Sequence, residues 1–213
     1  KIFIKENLKD HRTIFIDGSK CHKVTKLRIP VLPTAILLFL MGCVGRIVLH
    51  DYHNFETVMV SVFLASMLLP IYASFIVTIS IMIASDIYLG YFGSSRILLF
   101  TYSGFMLVSF ITAKYKNEIE GKFSAGTMYK FTSSGIIFAL VYDTWTNFGV
   151  FWLSYTHTID NLILVYILGI PFMIYHLLSS IVTFSLIGFP VYCTLRDYNE
   201  NSHFTEKEIE LEG

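Results

Sequence analysis

Long apolar runs dominate this chain, and two polar clusters lie between the first three of them. The stretch from Arg46 to Gly90 holds a run that ends in RIVLHDYHNF, a run from Glu56 to Leu69, and a third that ends in the turn ASDIYLG. If these runs cross a bilayer in series, both clusters fall on the same side. Ionisable groups at membrane depth are costly and usually mark a site. The sequence therefore predicts an integral membrane protein with a polar pocket at one membrane face.

The composition also favours a membrane protein over a soluble domain. Of the 213 residues, 54% are hydrophobic and 15% are charged, against about 25% charged in an average soluble domain. Three cysteines provide neither an even disulfide framework nor a CxxC pair, and Cys43 and Cys193 fall in apolar runs, where a cysteine packs as a small residue. Walker A, nucleophile-elbow and HExxH motifs are missing from the sequence. We therefore expect neither an enzyme nor a cofactor, and no nucleic-acid partner.

Three regions follow from the distribution of charge. Residues 1–28 are a polar, basic cytoplasmic arm, since eight of the sixteen Lys and Arg residues precede Pro30. Within the arm, HRTIFIDGSK alternates around an Asp-Gly pair and predicts a short hairpin, and the lack of an apolar h-region predicts no cleavable signal peptide. Residues 29–194 form the transmembrane domain, and residues 195–213 form an acidic cytoplasmic tail.

The transmembrane domain is expected to be all-α, with about six helices. Pro171 and Pro190 interrupt the last apolar run, so a break with a short or re-entrant helix before Pro171 is predicted. The second and third runs are short for a bilayer, which needs ~20 apolar residues. The predicted spans are 30–45, 55–69, 71–84, 97–113, a fifth from 131 to 141 that continues into DTWTNFGVFW, and a sixth within 162–193.

Charge asymmetry predicts the orientation. With six crossings the arm, the tail and the Lys114–Lys130 loop share one side, and the other side keeps only Arg46 and Arg96. By the positive-inside rule both termini of this multi-pass protein are cytoplasmic. The loops near 46–54, 86–96 and 143–161 then face outward from the cell membrane.

The outward loops are rich in aromatic rings and in groups that donate and accept hydrogen bonds. Such a mixture suits capture of a small molecule, although Trp and Tyr also favour the headgroup level for their own sake. An interfacial belt of Trp and Tyr explains the charged residues of these loops less well, because those residues adjoin apolar runs. The candidate substrate-binding residues are Arg46, His50, Asn54, Asp86, Asp143, Trp145, Asn147 and Tyr155.

Histidines among these loops raise the alternative of a metal site. His50, His53 and His157 with nearby aspartates are ligands that suit Zn, Cu or Ni. The HDYH motif supplies only one pair of histidines, however, and the sequence has no second such motif to complete the ligand set, so we expect no metal. His176 lies within the last span, where it is expected to bond a neighbouring helix.

Four motifs, in order between about Pro33 and Pro190, resemble the S components of energy-coupling factor (ECF) transporters, and an uncharacterised ECF-like branch most of all. They are Arg46…His50…Asn54-Phe55, then Ser85-Asp86-Ile87-Tyr88-Leu89-Gly90, then Thr146-Asn147-Phe148-Gly149-Val150-Phe151-Trp152 with Tyr155, and then Gly169-Ile170-Pro171-Phe172.

The resemblance implies a six-helix, membrane-embedded subunit that captures a vitamin-like molecule from outside. The first expected ligand is cobalamin or a precursor, and thiamine and a queuosine-like base are the alternatives. The implied partners are a transmembrane coupling subunit and two ATPases. One departure concerns docking, which in S components commonly uses an Ala-x-x-x-Ala face on helix one. Here Ala35 is followed four residues later by Phe39, and Gly42, Cys43 and Gly45 lie near the outer end.

Two other functions stay open. The weakened helix-one face and the extra arm favour an accessory or structural subunit of a larger membrane complex, without a transport role. The outer His and Asp groups leave open a membrane enzyme or metal protein.

Overall fold

The chain is described from a computed structural model that contains two compact units. One unit comprises Lys1–Arg28 with Asn199–Gly213, and the other comprises Ile29–Tyr198. The described residues are 3–7, 12–17, 20–23, 30–51, 57–93, 95–116 and 123–196.

The first unit contains a three-stranded antiparallel sheet in the order β1-β2-β3. The strands are β1 (Phe3–Asn7), β2 (Arg12–Asp17) and β3 (Lys20–Lys23). Asp17 lies opposite Lys20 in the β2–β3 pairing, so two residues join these strands. This pairing matches the hairpin predicted from HRTIFIDGSK.

The second unit is helical, and the prediction of an all-α membrane protein is confirmed. Five of its helices are long and apolar enough to cross a membrane, and α2, with 11 residues, is shorter. Described helices of this unit are α1 (Val31–Val48), α2 (Val58–Leu68), α3 (Ile71–Leu89), α4 (Leu98–Tyr115), α5 (Ala125–Ser154) and α6 (Ile159–Thr183).

Helix α2 forms the centre of this unit. All 11 of its residues are buried, and it contacts α1, α3, α4, α5 and α6. Phe63 on α2 makes edge-to-face contacts with Phe131, Phe138 and Phe184, with ring centroids 5.1, 5.8 and 5.1 Å apart. At about 1.5 Å per residue, α2 is roughly 16 Å long, about half of a hydrocarbon core of ~30 Å. It is therefore a core helix around which the longer helices pack.

The outward faces of the longer helices are apolar. On α1, Leu32, Ile36, Leu40 and Val44 are each at least half exposed. Exposed aliphatic and aromatic side chains also cover the outward face of α6. A surface of this kind suits lipid, because hydrocarbon solvates these side chains and the helical backbone satisfies its own polar groups.

The predicted break at Pro171 is wrong. Helix α6 continues through Pro171, which lies on the exposed face. A π-helical segment, Phe184–Gly188, follows α6, and its cap places the N–H of Phe189 on the carbonyl of Phe184, five residues back. The helical run then extends to Arg196, past Pro190. In lipid the backbone must satisfy its hydrogen bonds internally, so a helix that loses one bond at proline still continues.

The outer boundaries of α3 and α5 also correct the sequence prediction. The third span was expected to end at 84, but α3 includes Asp86 and ends at Leu89. The fifth span continues through DTWTNFGVFW as predicted, so the outward loop predicted near 143–161 is mostly helix, since α5 reaches Ser154 and α6 begins at Ile159. The sequence prediction places an outward loop at each of these polar clusters. In the structure, partners on neighbouring helices keep them inside helices.

Glycine at position 135 allows α5 to approach the π-helical segment closely. A Cβ atom at Gly135 would overlap the ring of Phe184, which is fully buried. We expect Gly135→Ala to lower the free energy of unfolding by about 1–3 kcal/mol, because overpacking forces neighbouring side chains and backbone to move.

The matched control for this variant is Gly126→Ala on the same helix. Nothing lies within 4 Å of a Cβ at Gly126, so this variant should be neutral or gain up to about 1 kcal/mol from alanine's helix propensity. Equilibrium unfolding of the detergent-solubilised protein compares the two. Equal stability of both variants would contradict the close contact between Gly135 and Phe184.

Candidate functional site

A charged cluster joins three helices at one end of the helical unit. Arg46 lies in the last turn of α1, and its Nη1 donates a 2.8 Å hydrogen bond to Oγ of Ser85 on α3. Its Nη2 lies 2.9 Å from Oδ1 of Asp86. This second contact is an ion pair without hydrogen-bond geometry, because Oδ1 accepts no aligned donor from the described residues. We call Arg46, Ser85, Asp86 and Tyr102 the Arg46 cluster.

Asp86 is the most buried member of the cluster. Its relative exposure is 0%, and its other carboxylate oxygen, Oδ2, accepts a 2.7 Å hydrogen bond from the hydroxyl of Tyr102 on α4. The Asp86 carbonyl accepts from the N–H groups of Tyr91 and Phe92 at 2.8 and 3.1 Å. Gly90 makes this turn possible with a left-handed φ of 77°. The local sequence thus ends α3 directly beyond the buried carboxylate.

A second polar contact lies beside the turn, on the exposed surface. Nε2 of His50 is 2.7 Å from the hydroxyl of Tyr91, and Nδ1 is 3.3 Å from Oδ1 of Asp51. His50 follows the end of α1, and Tyr91 follows the end of α3. The sequence prediction that His50, Arg46 and Asp86 belong to one end of the unit agrees with these contacts.

Asp143 and His176 form a buried pair deeper in the unit. Nδ1 of His176 lies 2.7 Å from Oδ1 of Asp143, and the two residues are only 7% and 8% exposed. The prediction that His176 bonds a neighbouring helix is confirmed. A carboxylate can only accept in such a bond, so Nδ1 carries the proton whenever Asp143 is ionised. No donor among the described residues reaches Oδ2 of Asp143.

Depth distinguishes this pair from the Arg46 cluster. Asp86 lies three residues before the end of α3, and Asp143 lies 11 residues before the end of α5. At 1.5 Å per residue these separations are about 5 Å and about 16 Å along the helix axes. The pair therefore lies near the middle of the membrane-spanning segments, where an ionisable group is most costly.

Both polar groups lie next to the start of α2. Gly45, beside Arg46, packs so closely on Thr57 that a Cβ there would overlap its side chain. Ser180, one turn after His176, lies 4.0 Å from the sulfur of Met59. Thr57 and Met59 flank the first residue of α2. The start of α2 therefore contacts direct neighbours of both polar groups.

An aromatic groove runs between α4 and α5 at the same end. Nε1 of Trp145 donates a 3.0 Å hydrogen bond to Oγ of Ser103, and Trp152 stacks on His157 with ring centroids 4.4 Å apart. The groove is open to the surface, has a volume of about 340 Å³ and is lined almost entirely by apolar atoms. Its lining residues are Phe100, Ser103, Trp145, Phe148 and Trp152.

The other candidate residues are placed apart from the Arg46 cluster. Asn147 faces α6, where a Cβ on Gly169 would come within 2.7 Å of its amide. Tyr155 is the residue that ends α5, and its N–H bonds the carbonyl of Phe151. Asn54, like His53, lies outside the described residues. The structure thus brings Arg46 and Asp86 together, pairs Asp143 with a residue that was not proposed, and puts Trp145 in the aromatic groove.

Tyr102 and His176 are the partners that the sequence prediction of the site omitted. Tyr102 is five residues into α4, and an interfacial Tyr is common enough that its position carries no signal by itself. His176 was assigned to helix packing. The signal that points to both residues is that a buried carboxylate needs a hydrogen-bond partner on an adjacent helix.

Fold and site together define an all-α membrane protein with ionisable groups buried inside its helical bundle. Within the described ranges, no group of three or more His, Cys, Asp or Glu side chains is arranged to hold a metal ion.

The chain belongs to a family of unknown function, DUF6580, whose match covers residues 25–202. No curated protein and no solved structure matches this chain.

Proposed function

We propose that this chain is the substrate-binding membrane subunit of an ECF-type uptake transporter, and that it captures a vitamin-like molecule at the end that contains the Arg46 cluster. Cobalamin or a precursor is the first ligand to test. In this proposal the coupling subunit and the ATPases are separate chains. The structural features that support it are the helical membrane fold, the buried polar groups at one end and the adjacent aromatic groove.

The observation that carries the proposal is the complete burial of Asp86 against Arg46. Removing two charges from water costs several kcal/mol per ion, and a buried pair is often no more stabilising than apolar residues of similar volume. Stability alone is therefore a weak reason to keep this pair. Ligand binding is a better reason to keep the pair, because ionisable groups at membrane depth usually mark sites. A polar group of the ligand would replace one of the hydrogen bonds within the Arg46 cluster.

Orientation in this proposal rests on the distribution of basic residues. Among described residues of the helical unit, Lys114, Lys116, Lys130 and Arg196 lie at the end opposite the Arg46 cluster. By the positive-inside rule the lysine-rich end, and with it both termini, is cytoplasmic. The Arg46 cluster and the aromatic groove then face the outside, where an uptake protein meets its ligand.

Purification from the native membrane in mild detergent, followed by mass spectrometry of the co-purifying proteins, is the first test. A transmembrane subunit together with ATPases is the expected result. Stoichiometric partners from another complex, without an ATPase, would contradict the transporter proposal.

Ligand binding is the second test, with cobalamin as the probe and the purified full-length chain. We expect saturable binding that Arg46→Gln weakens by at least tenfold, since one lost hydrogen bond to a charged group corresponds to about 1.5–3 kcal/mol. Arg96→Gln is the control, because Arg96 is an exposed residue at the same end. Equal loss in both variants would assign the effect to surface charge.

One observation favours an accessory subunit as the second candidate. The small residues of α1 serve internal packing, since a Cβ on Gly42 would lie 2.7 Å from Ile81 and one on Gly45 would overlap Thr57. The outward face of α1 instead carries bulky aliphatic side chains. Close docking through small residues is therefore not available on that face, and the co-purification experiment separates the two candidates.

A further inference from the structure

We propose that a groove between α2, α4 and α5, at the lysine-rich end, binds an anionic phospholipid. One acyl chain lies in the groove and the phosphate is held by Lys114 and Lys130. This site is remote from the Arg46 cluster, and the proposal does not depend on which ligand that cluster takes.

The groove has the shape and polarity for a hydrocarbon chain. It is a half-open groove with a volume of about 230 Å³, lined mainly by apolar side chains of the three helices. Phe63 and Val108 are 2% exposed and form its floor. Its wall includes the hydroxyl of Ser134, which donates to the carbonyl of Lys130 within α5. That hydroxyl hydrogen is already used. Thr112 and Tyr115 add two further hydroxyl groups to the lining, and the other lining side chains are apolar, so the groove favours a mainly apolar occupant.

The mouth of the groove opens on the side of the bundle. Ile137, Tyr115 and Ile111 line the groove and are 59%, 52% and 36% exposed. These three residues belong to the apolar outer surface of α4 and α5, two helices long enough to cross a membrane. An occupant therefore enters from the bilayer, which makes a membrane lipid the fitting ligand.

Basic side chains at the rim select the headgroup. Nζ of Lys114 lies 5.7 Å from the ring centroid of Tyr115, and Lys130 lies one helical turn before Ser134 on α5. Both lysines are exposed. Next to them, Nζ of Lys116 donates a 3.2 Å hydrogen bond to the carbonyl of Leu69, just beyond α2.

No described acidic side chain offsets this charge. In the described part of the helical unit the acidic residues are Asp51, Asp86, Asp143 and Asp160. None of these lies in the helix turns that form the lysine-rich end. Basic pockets between membrane-spanning helices bind anionic lipid headgroups. The basic rim and the apolar groove together therefore fit one anionic phospholipid.

Native mass spectrometry of the full chain tests the proposal, with phosphatidylglycerol and phosphatidylcholine of identical acyl chains added in equal amounts. We expect preferential retention of phosphatidylglycerol. The double variant Lys114→Gln/Lys130→Gln should reduce this preference roughly 10- to 30-fold, because each lysine near an anionic surface is worth about a fivefold change in affinity. Arg96→Gln, at the opposite end, should leave it unchanged.

A second variant tests the groove separately from the charges. Ser134→Phe fills part of the groove without removing a lysine and should lower retention of both lipids. Equal retention of the two lipids by the unaltered protein would overturn the proposal. Loss of phosphatidylglycerol in the lysine variant with no effect of Ser134→Phe would also overturn it, since binding would then be electrostatic attraction to the surface only.

Discussion

Replacing Arg46 by alanine is expected to destabilise the helical unit by about 3–5 kcal/mol, because it leaves the Asp86 carboxylate without its charge partner. Asp86 is 0% exposed, and the Arg46 side chain is 16% exposed, so water cannot easily replace the guanidinium. The remaining hydrogen bond from Tyr102 to Oδ2 cannot balance a full negative charge. Unfolding of the purified protein by increasing SDS in mixed micelles measures the difference.

The control for this prediction is the double variant Arg46→Met/Asp86→Leu. Removing both charges should recover most of the lost stability, since apolar residues of similar volume often replace a buried ion pair at little cost. Tyr102→Phe, which removes one hydroxyl, should cost about 1 kcal/mol. If Arg46→Ala unfolds at the same SDS fraction as the unaltered protein, the ion pair does not exist as described.

Replacing His176 by leucine is expected to cost a similar amount, again about 3–5 kcal/mol, because Asp143 loses the partner of its Oδ1 atom. The pair lies near the middle of the spanning helices, and both residues are more than nine-tenths buried. Leucine fills the ring's volume but offers no donor. The same SDS titration measures the loss.

Two comparisons distinguish loss of the bond from loss of packing. Asp143→Leu/His176→Leu removes both polar groups and should be markedly more stable than His176→Leu alone. His50→Leu removes an exposed histidine and should change stability by no more than about 0.5 kcal/mol. If the double variant is as unstable as the single one, the cost comes from packing and the buried pair is not its cause.

Membrane character was the part of the fold most open to prediction from the sequence. Apolar runs are a compositional property, and the six predicted spans fall on the six described helices, with most ends within several residues. The sequence was less informative about α2, because a short buried helix and a short span have the same apolar composition. Burial of all 11 residues of α2 distinguishes them, and burial is a property of the assembled bundle.

Errors in the predicted boundaries have one physical cause. The sequence places Asp86 and Asp143 in outward loops because polar clusters follow the apolar runs at both positions. Each is stable inside a helix because a residue from another helix, Arg46 or His176, lies within 2.9 Å of its carboxylate. The continuation of α6 past Pro171 has a related origin, since lipid makes a broken helix more costly than one lost hydrogen bond.

The amino-acid sequence by itself determined that this protein is an α-helical membrane protein with polar residues concentrated at one end of its spans, because hydropathy and residue type do not depend on the fold. Only the tertiary structure decided which polar residues meet. Arg46 and Asp86 are 40 positions apart, and Asp143 and His176 are 33 apart. Such contacts depend on how the helices rotate and pack against α2, and this depends on the shapes of many side chains together.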